Sequence, residues 1–176
     1  MQDMLSLLRA QNDELAQSVI RSAHATSKTV STAESLTAGL IAATLGDIPG
    51  ASMVLRGGAV TYCDEIKHQV LGVKQETLDL HTAVSQETAC ELALGSLELF
   101  SSDIAVSATG YAGPGGGTEQ DPVGTFYLGI CVRGRDGNPL KPRSIRCYHE
   151  GDRSTVRSYA VHDALGLVIE TLTAME

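Results

Sequence analysis

Three short segments of the chain carry side chains able to do chemistry: Ala33-Glu34-Ser35-Leu36-Thr37-Ala38-Gly39, Tyr62-Cys63-Asp64-Glu65-Ile66-Lys67, and the glycine-rich stretch from Thr109 and Gly110 to Gly117. A serine hydroxyl is too weakly acidic to attack a carbonyl carbon unaided and needs a neighbouring base. No histidine lies in any of the three segments, so a Ser-His-Asp triad gains no support. Lys67 is the alternative base, because burial or nearby positive charge lowers a lysine's pKa and leaves a neutral amine. Both residues also have purely structural readings. Ser35 falls where a strand is predicted to turn into a helix and suits an N-cap. Lys67, beside Asp64 and Glu65, suits a solvated helix face.

The glycine-rich stretch lacks the Gly-Lys-[Ser/Thr] ending of a phosphate-binding P-loop. It is followed by a predicted strand rather than a helix, so it is not a dinucleotide fingerprint either. Its composition suits a flexible connector as well as a backbone cradle for an anion. Arg153 adds a guanidinium whose fork matches a phosphate. The pairs Arg153/Arg157 and Arg143/Arg146 form small basic spots suited to one phosphate rather than to a polymer. Among Cys63, Cys90, Cys131 and Cys147 no C-x-x-C spacing occurs, and the five histidines lack metal spacing, so no metal is expected. Cys131 and Cys147 sit in apolar strand-like runs and read as inert buried thiols.

The elements that must position these groups are legible from periodicity. Met4, Leu8, Leu15 and Val19 recur at helical spacing and predict a helix over residues 4–22. A buried strand over 28–33 follows, then an Ala- and Leu-rich helix over 36–45 opened by Ser35. Residues 52–62 read as a strand in which Gly57-Gly58 marks a bulge or a close backbone approach. Helices are predicted over 64–71, 75–80 and 86–100, the last capped by Ser85. Strands over 103–109, 124–133 and 143–149 follow, the last two joined at Arg135-Asp136-Gly137-Asn138, and a helix over 152–173 closes the chain. The expected fold is one α/β domain spanning 1–176, a three-layer α/β/α sandwich whose sheet the hairpin makes mixed.

Composition excludes several classes. Twenty-one acidic against thirteen basic residues leave a formal charge of −8, which repels a phosphate backbone. Nucleic acid is therefore not an expected partner, and a competence factor acting directly on DNA fits poorly. No uncharged apolar stretch reaches the roughly 18 residues of a membrane span, so no membrane partner is expected. The first ten residues lack the basic and apolar regions of a secretory signal, and a reducing cytoplasm is the expected compartment.

The three segments, in this order and together with Asp47-Ile48-Pro49-Gly50, Leu71-Gly72-Val73, Ala83-Val84-Ser85 and Gly151-Asp152-Arg153, resemble the C-terminal domain of the competence/damage-inducible CinA family. The likeness runs from about Thr29 to the last helix. The resemblance implies a three-layer α/β/α domain and a nicotinamide-mononucleotide amidohydrolase that needs no cofactor. It also implies Ser35 as nucleophile and Lys67 as base, with Glu34, Thr37, Tyr62, Thr109, Gly110 and Arg153 at positions that bind the nucleotide substrate. Family members without turnover, acting as nucleotide-binding or interaction proteins, are the alternative it allows. A homo-oligomer is expected because symmetric self-association is common. The chain departs from the family's usual motifs at Ala38, where glycine is common, at Cys63-Asp64, where Ser-Asn is common, and at Tyr111.

Overall fold

A computed structural model describes residues 2–175. Its elements run α1 (Gln2–Ala25), β1 (Val30–Glu34), α2 (Leu40–Gly46), β2 (Leu55–Val60), α3 (Asp64–Leu71), α4 (Gln75–His81), α5 (Gln86–Phe100), β3 (Ile104–Gly110), β4 (Thr125–Val132), β5 (Arg143–Tyr148) and α6 (Arg153–Ala174). The sheet has the order β2-β1-β3-β4-β5. β1 runs parallel to both β2 and β3, while β4 is antiparallel to β3 and to β5. The sheet is therefore mixed, as the predicted hairpin requires. Helices α1, α2 and α6 cover one face and α3, α4 and α5 the other, which completes the three layers.

The alternation within each strand sorts its side chains between these layers. On β4, Phe126, Leu128 and Ile130 join Val30, Ile104 and Val106 beneath α1 and α6. Cys131, on the opposite face, packs with Ala105 against Ala93 and Leu97 of α5. Apolar burial on both faces is the main stabilising term, at roughly 25 cal/mol per Å² removed from water. Ser31, buried between β1 and α5, finds partners: its Oγ lies 2.9 Å from Ser96 Oγ and 2.8 Å from Ser102 Oγ.

Three expectations are corrected. The helix expected from Leu36 begins at Leu40, and residues 35–39 form turns. The strand expected from Ser52 begins at Leu55, because Ala51–Met53 coil into one 3-10 turn. Met4, assigned to the apolar stripe of α1, is 56% exposed, whereas Leu8 and Val19 are buried. The Gly57-Gly58 signal is explained by two features. The register of β1 against β2 jumps from Val30↔Leu55 to Ser31↔Gly57, which leaves Arg56 as the extra residue of a bulge. A β-carbon on Gly58 would run into Thr32 Oγ1, and one on Gly57 into the Phe100 ring. Among the described residues, no helix is long and apolar enough to cross a membrane.

Candidate active site

Parallel neighbours end on the same side of a sheet, and ligands of open α/β sheets gather beyond those carboxyl ends. β1 and β2 bring the first two segments together in this way. The Thr61 N–H donates to Glu34 O at 2.9 Å, and the Ser35 N–H donates to Ala108 O at 2.9 Å. Ser35 is thereby held between the ends of β2 and β3, at the middle of the edge. It is half-buried, and its hydroxyl makes no hydrogen bond among the described residues.

The turns after Ser35 set the local geometry. Ala38 N–H donates to Ser35 O at 3.1 Å and Leu40 N–H to Thr37 O at 3.2 Å. Ala38 (φ 52°) and Gly39 (φ 92°) both lie in the left-handed region. Ala38 thus carries a β-carbon in a conformation that glycine adopts without strain. The N–H groups of Leu36 and Thr37 donate to nothing among the described residues. Successive free N–H groups in a turn form an anion-binding concavity.

Glu34 explains why α2 begins where it does. Its side chain is fully buried; Oε2 accepts from Ile41 N–H at 3.0 Å and Oε1 from Ala42 N–H at 2.8 Å and from Thr32 Oγ1 at 3.1 Å. A carboxylate reaching over from the strand end does the work of a cap, which the Gly39 position lacks. This corrects one expectation, since Ser35 caps no helix, and it shows Glu34, one of the expected substrate-binding residues, fastening the turn to α2.

Lys67 reaches the same edge from α3. Its side chain is 1% exposed, and Nζ has two long contacts, a donation to Tyr62 O at 3.4 Å and a 3.6 Å approach to Asp64 Oδ1. Burial pushes its pKa below the ordinary 10.5, although the Asp64 charge and hydrogen bond pull the other way. The solvated-face reading of Lys67 is thus replaced by a buried amine, biased toward its neutral form. Lys67 Nζ approaches the Tyr62 carbonyl, two residues beyond the end of β2, with no hydrogen bond between Nζ and Ser35 Oγ.

Of the remaining expected site residues, Tyr62 and Arg153 meet directly. Tyr62 is 54% exposed, and its hydroxyl accepts from Arg153 Nη2, while Arg153 Nη1 donates to Gly113 O at 2.9 Å. Arg153 therefore ties the glycine-rich loop to the Lys67 segment. That loop is a pinned strand connection as well: Tyr111 N–H donates to Thr125 O at 2.9 Å, and Gly124 N–H to Tyr111 O at 2.8 Å. Gly110 ends β3 with the Phe126 backbone so close that a β-carbon would collide with it. Thr109 is fully buried and gives its hydroxyl to Ala83 O at 2.6 Å, which holds the loop before α5. It supports the edge by this bond, and its oxygen keeps acceptor capacity. Thr37 is also fully buried, and its Oγ1 has no partner.

Two residues escaped the sequence reading. Thr61, fully buried next to Tyr62, carries, after Thr37, a second fully buried hydroxyl without a partner at this edge. Arg157, read there only as half of a basic pair, donates Nε to Leu36 O at 2.9 Å and Nη2 to Thr37 O at 2.7 Å. Its i, i+4 spacing from Arg153 on a predicted helix was the available signal, since it puts both on one face. The cysteines offer no rival nucleophile in the core: burial pushes Cys131 up to about 11 and Cys147 up to about 12. No cluster of three metal-binding side chains occurs among the described residues.

The sequence profile of the CinA C-terminal domain matches residues 12–172. A CinA-like protein of Endomicrobium trichonymphae is 44% identical over 163 residues, covering 93% of this chain and 37% of the relative. One of Chloroherpeton thalassium is 46% identical over 145 residues, covering 82% and 34%. The chain spans about a third of the length of the curated relatives it matches. Among solved structures, a CinA superfamily protein of Klebsiella pneumoniae superposes with a TM-score of 0.86 at 36% identity, covering 93% of this chain and 98% of that one. The competence/damage inducible protein CihA of Agrobacterium tumefaciens gives 0.84 at 40% identity, covering 93% and 96%.

Proposed function

Because the chain belongs to the CinA C-terminal domain family, we propose that it is a serine–lysine amidohydrolase that converts nicotinamide mononucleotide to nicotinic acid mononucleotide and ammonia. The observation that carries this reading is a lysine 1% exposed, its pKa lowered by burial, reaching the strand edge where an unpartnered serine hydroxyl sits.

In this mechanism the amine of Lys67 swings from Tyr62 O to Ser35 Oγ and takes its proton as the oxygen attacks the carboxamide carbon. The carbonyl π pair moves onto oxygen, and the resulting oxyanion is stabilised by the N–H groups of Leu36 and Thr37. Collapse breaks the carbon–nitrogen bond, the Lys67 ammonium returns the proton to the leaving nitrogen, and ammonia departs. Water, deprotonated by the same amine, then cleaves the acyl-serine ester. Arg153, exposed and with donors left after binding Gly113 and Tyr62, is the residue suited to the substrate phosphate. The first N–H groups of α2 do not serve the oxyanion, since Glu34 occupies those of Ile41 and Ala42.

The test is ammonia release from nicotinamide mononucleotide. Ser35→Ala and Lys67→Ala should each lose at least about 10³-fold in kcat, and the double variant should be little worse than either, because the two act as one unit. Wild-type activity should rise with pH as Lys67 loses its proton, with a midpoint below 10.5. Equal rates in wild type and both single variants refute the mechanism. A second reading, a member that binds the nucleotide without turnover, is favoured by the missing Ser35–Lys67 hydrogen bond. Ligand-dependent stabilisation without ammonia release would select it.

A further inference from the structure

We propose that Arg157 is a positioning residue that aims the oxyanion-binding peptides of the Ser35 turn; this rests on the reading of Ser35 as a nucleophile. The guanidinium edge formed by Nε and Nη2 spans two successive carbonyls, those of Leu36 and Thr37, at 2.9 and 2.7 Å. A trans peptide holds its C=O and the following N–H in opposite directions, and the only cis peptide among the described residues is Gly113-Pro114. Pulling Leu36 O toward α6 therefore turns the Thr37 N–H away from α6. Pulling Thr37 O the same way fixes the next N–H, that of Ala38, which donates to Ser35 O at 3.1 Å. Ser35 O is the partner oxygen of the Leu36 N–H, so that group is fixed in turn. One side chain on α6 thus sets both free N–H groups after the nucleophile.

The turn's own bonds, Ala38 N–H to Ser35 O at 3.1 Å and Leu40 N–H to Thr37 O at 3.2 Å, leave Leu36 O with no donor besides Arg157 among the described residues. Ala38 and Gly39 both lie in the left-handed region, a strained conformation for Ala38 that the surrounding contacts must hold. The Glu34 carboxylate fastens the far end of the turn at Ile41 and Ala42 and does not touch the Leu36 or Thr37 carbonyls. Arg157 is half-buried and makes no ion pair, so its charge meets only these two dipoles among the described residues. Lysine cannot replace it, because a single ammonium on a flexible stem does not present two coplanar donors.

The experiment measures kcat and KM for ammonia release by wild type, Arg157→Ala and Arg157→Lys, with guanidinium added at millimolar concentration. A misplaced oxyanion donor costs about 10²–10³-fold in kcat. Both variants should therefore lose about 10²-fold in kcat with KM within about twofold, and the Lys67-governed pH midpoint should stay where it is in wild type. Guanidinium should restore Arg157→Ala, not Arg157→Lys. In parallel, the rate at which a phosphonofluoridate labels Ser35, with loss of fluoride, is followed by intact mass. Its phosphoryl oxygen needs the same N–H donors whatever the natural substrate is, so slowed labelling in the variants supports the assignment even if wild type leaves nicotinamide mononucleotide untouched. Unchanged kcat and labelling, or a loss confined to KM, overturns it. So does a folded Arg157→Ala variant that guanidinium fails to rescue, and so does a wild type whose Ser35 is not labelled.

Discussion

Replacing Glu34 by glutamine changes one atom at the point where the nucleophile turn meets α2, and its cost can be worked from the geometry. The carboxylate accepts two backbone donors, Ile41 N–H at 3.0 Å and Ala42 N–H at 2.8 Å, besides Thr32 Oγ1. A hydrogen bond to a charged group contributes about 1.5–3 kcal/mol, and a buried donor left unsatisfied costs about 1–3 kcal/mol. The amide keeps one acceptor oxygen and turns an NH2 toward the second site, so one helix N–H faces a donor in a place without water. The expected loss is about 2.5–6 kcal/mol, counted as one broken charged bond with its orphaned donor. With a urea slope of about 2 kcal/mol/M, the midpoint should fall by about 1–3 M. Urea unfolding followed by far-UV circular dichroism at neutral pH reads this directly. A midpoint within about 0.2 M of wild type would refute the reasoning, since it would mean that α2 finds its cap elsewhere.

Lys67→Met should stabilise the protein near neutral pH, because it removes a buried amine with only two long contacts. The sign follows from linkage. The folded pKa lies below the unfolded 10.5, so between the two values the unfolded chain holds more protons and wild-type stability rises with pH. The advantage of Lys67→Met should therefore shrink as pH rises toward 10.5, and a melting-temperature gap constant with pH contradicts this. Two helix glycines should respond oppositely to alanine. Gly166 in α6 has open space where a β-carbon would go, so Gly166→Ala should gain up to about 1 kcal/mol from helix propensity. Gly95 in α5 lies against the Leu71 carbonyl, so Gly95→Ala should lose about 1–3 kcal/mol despite the same propensity gain. Thermal melts should move by about 2–4 °C per kcal/mol, upward for the first and downward for the second.

The sequence by itself determined the elements and the chemistry available to them. The alternation of Phe126, Leu128 and Ile130 against Tyr127, Gly129 and Cys131 fixed a strand with two buried faces, and Ser85 capped α5 as read, accepting the Thr88 N–H at 3.1 Å. Periodicity is a local property, so one chain suffices to reveal it. The pairing of β1 with β2 and β3 is a contact between residues distant in sequence, and only the folded sheet placed Ser35 beside the Lys67 segment. Tertiary structure also overrode local preference. Ser35 followed by an Ala- and Leu-rich run reads as a cap and helix start, yet Arg157 holds two carbonyls of that run, and Glu34 supplies the cap four residues later. Whether Lys67 was solvated or buried was equally undecided from its neighbours in sequence, because a lysine's pKa depends on how much water the surrounding helices and strands exclude, and that is a property of their packing.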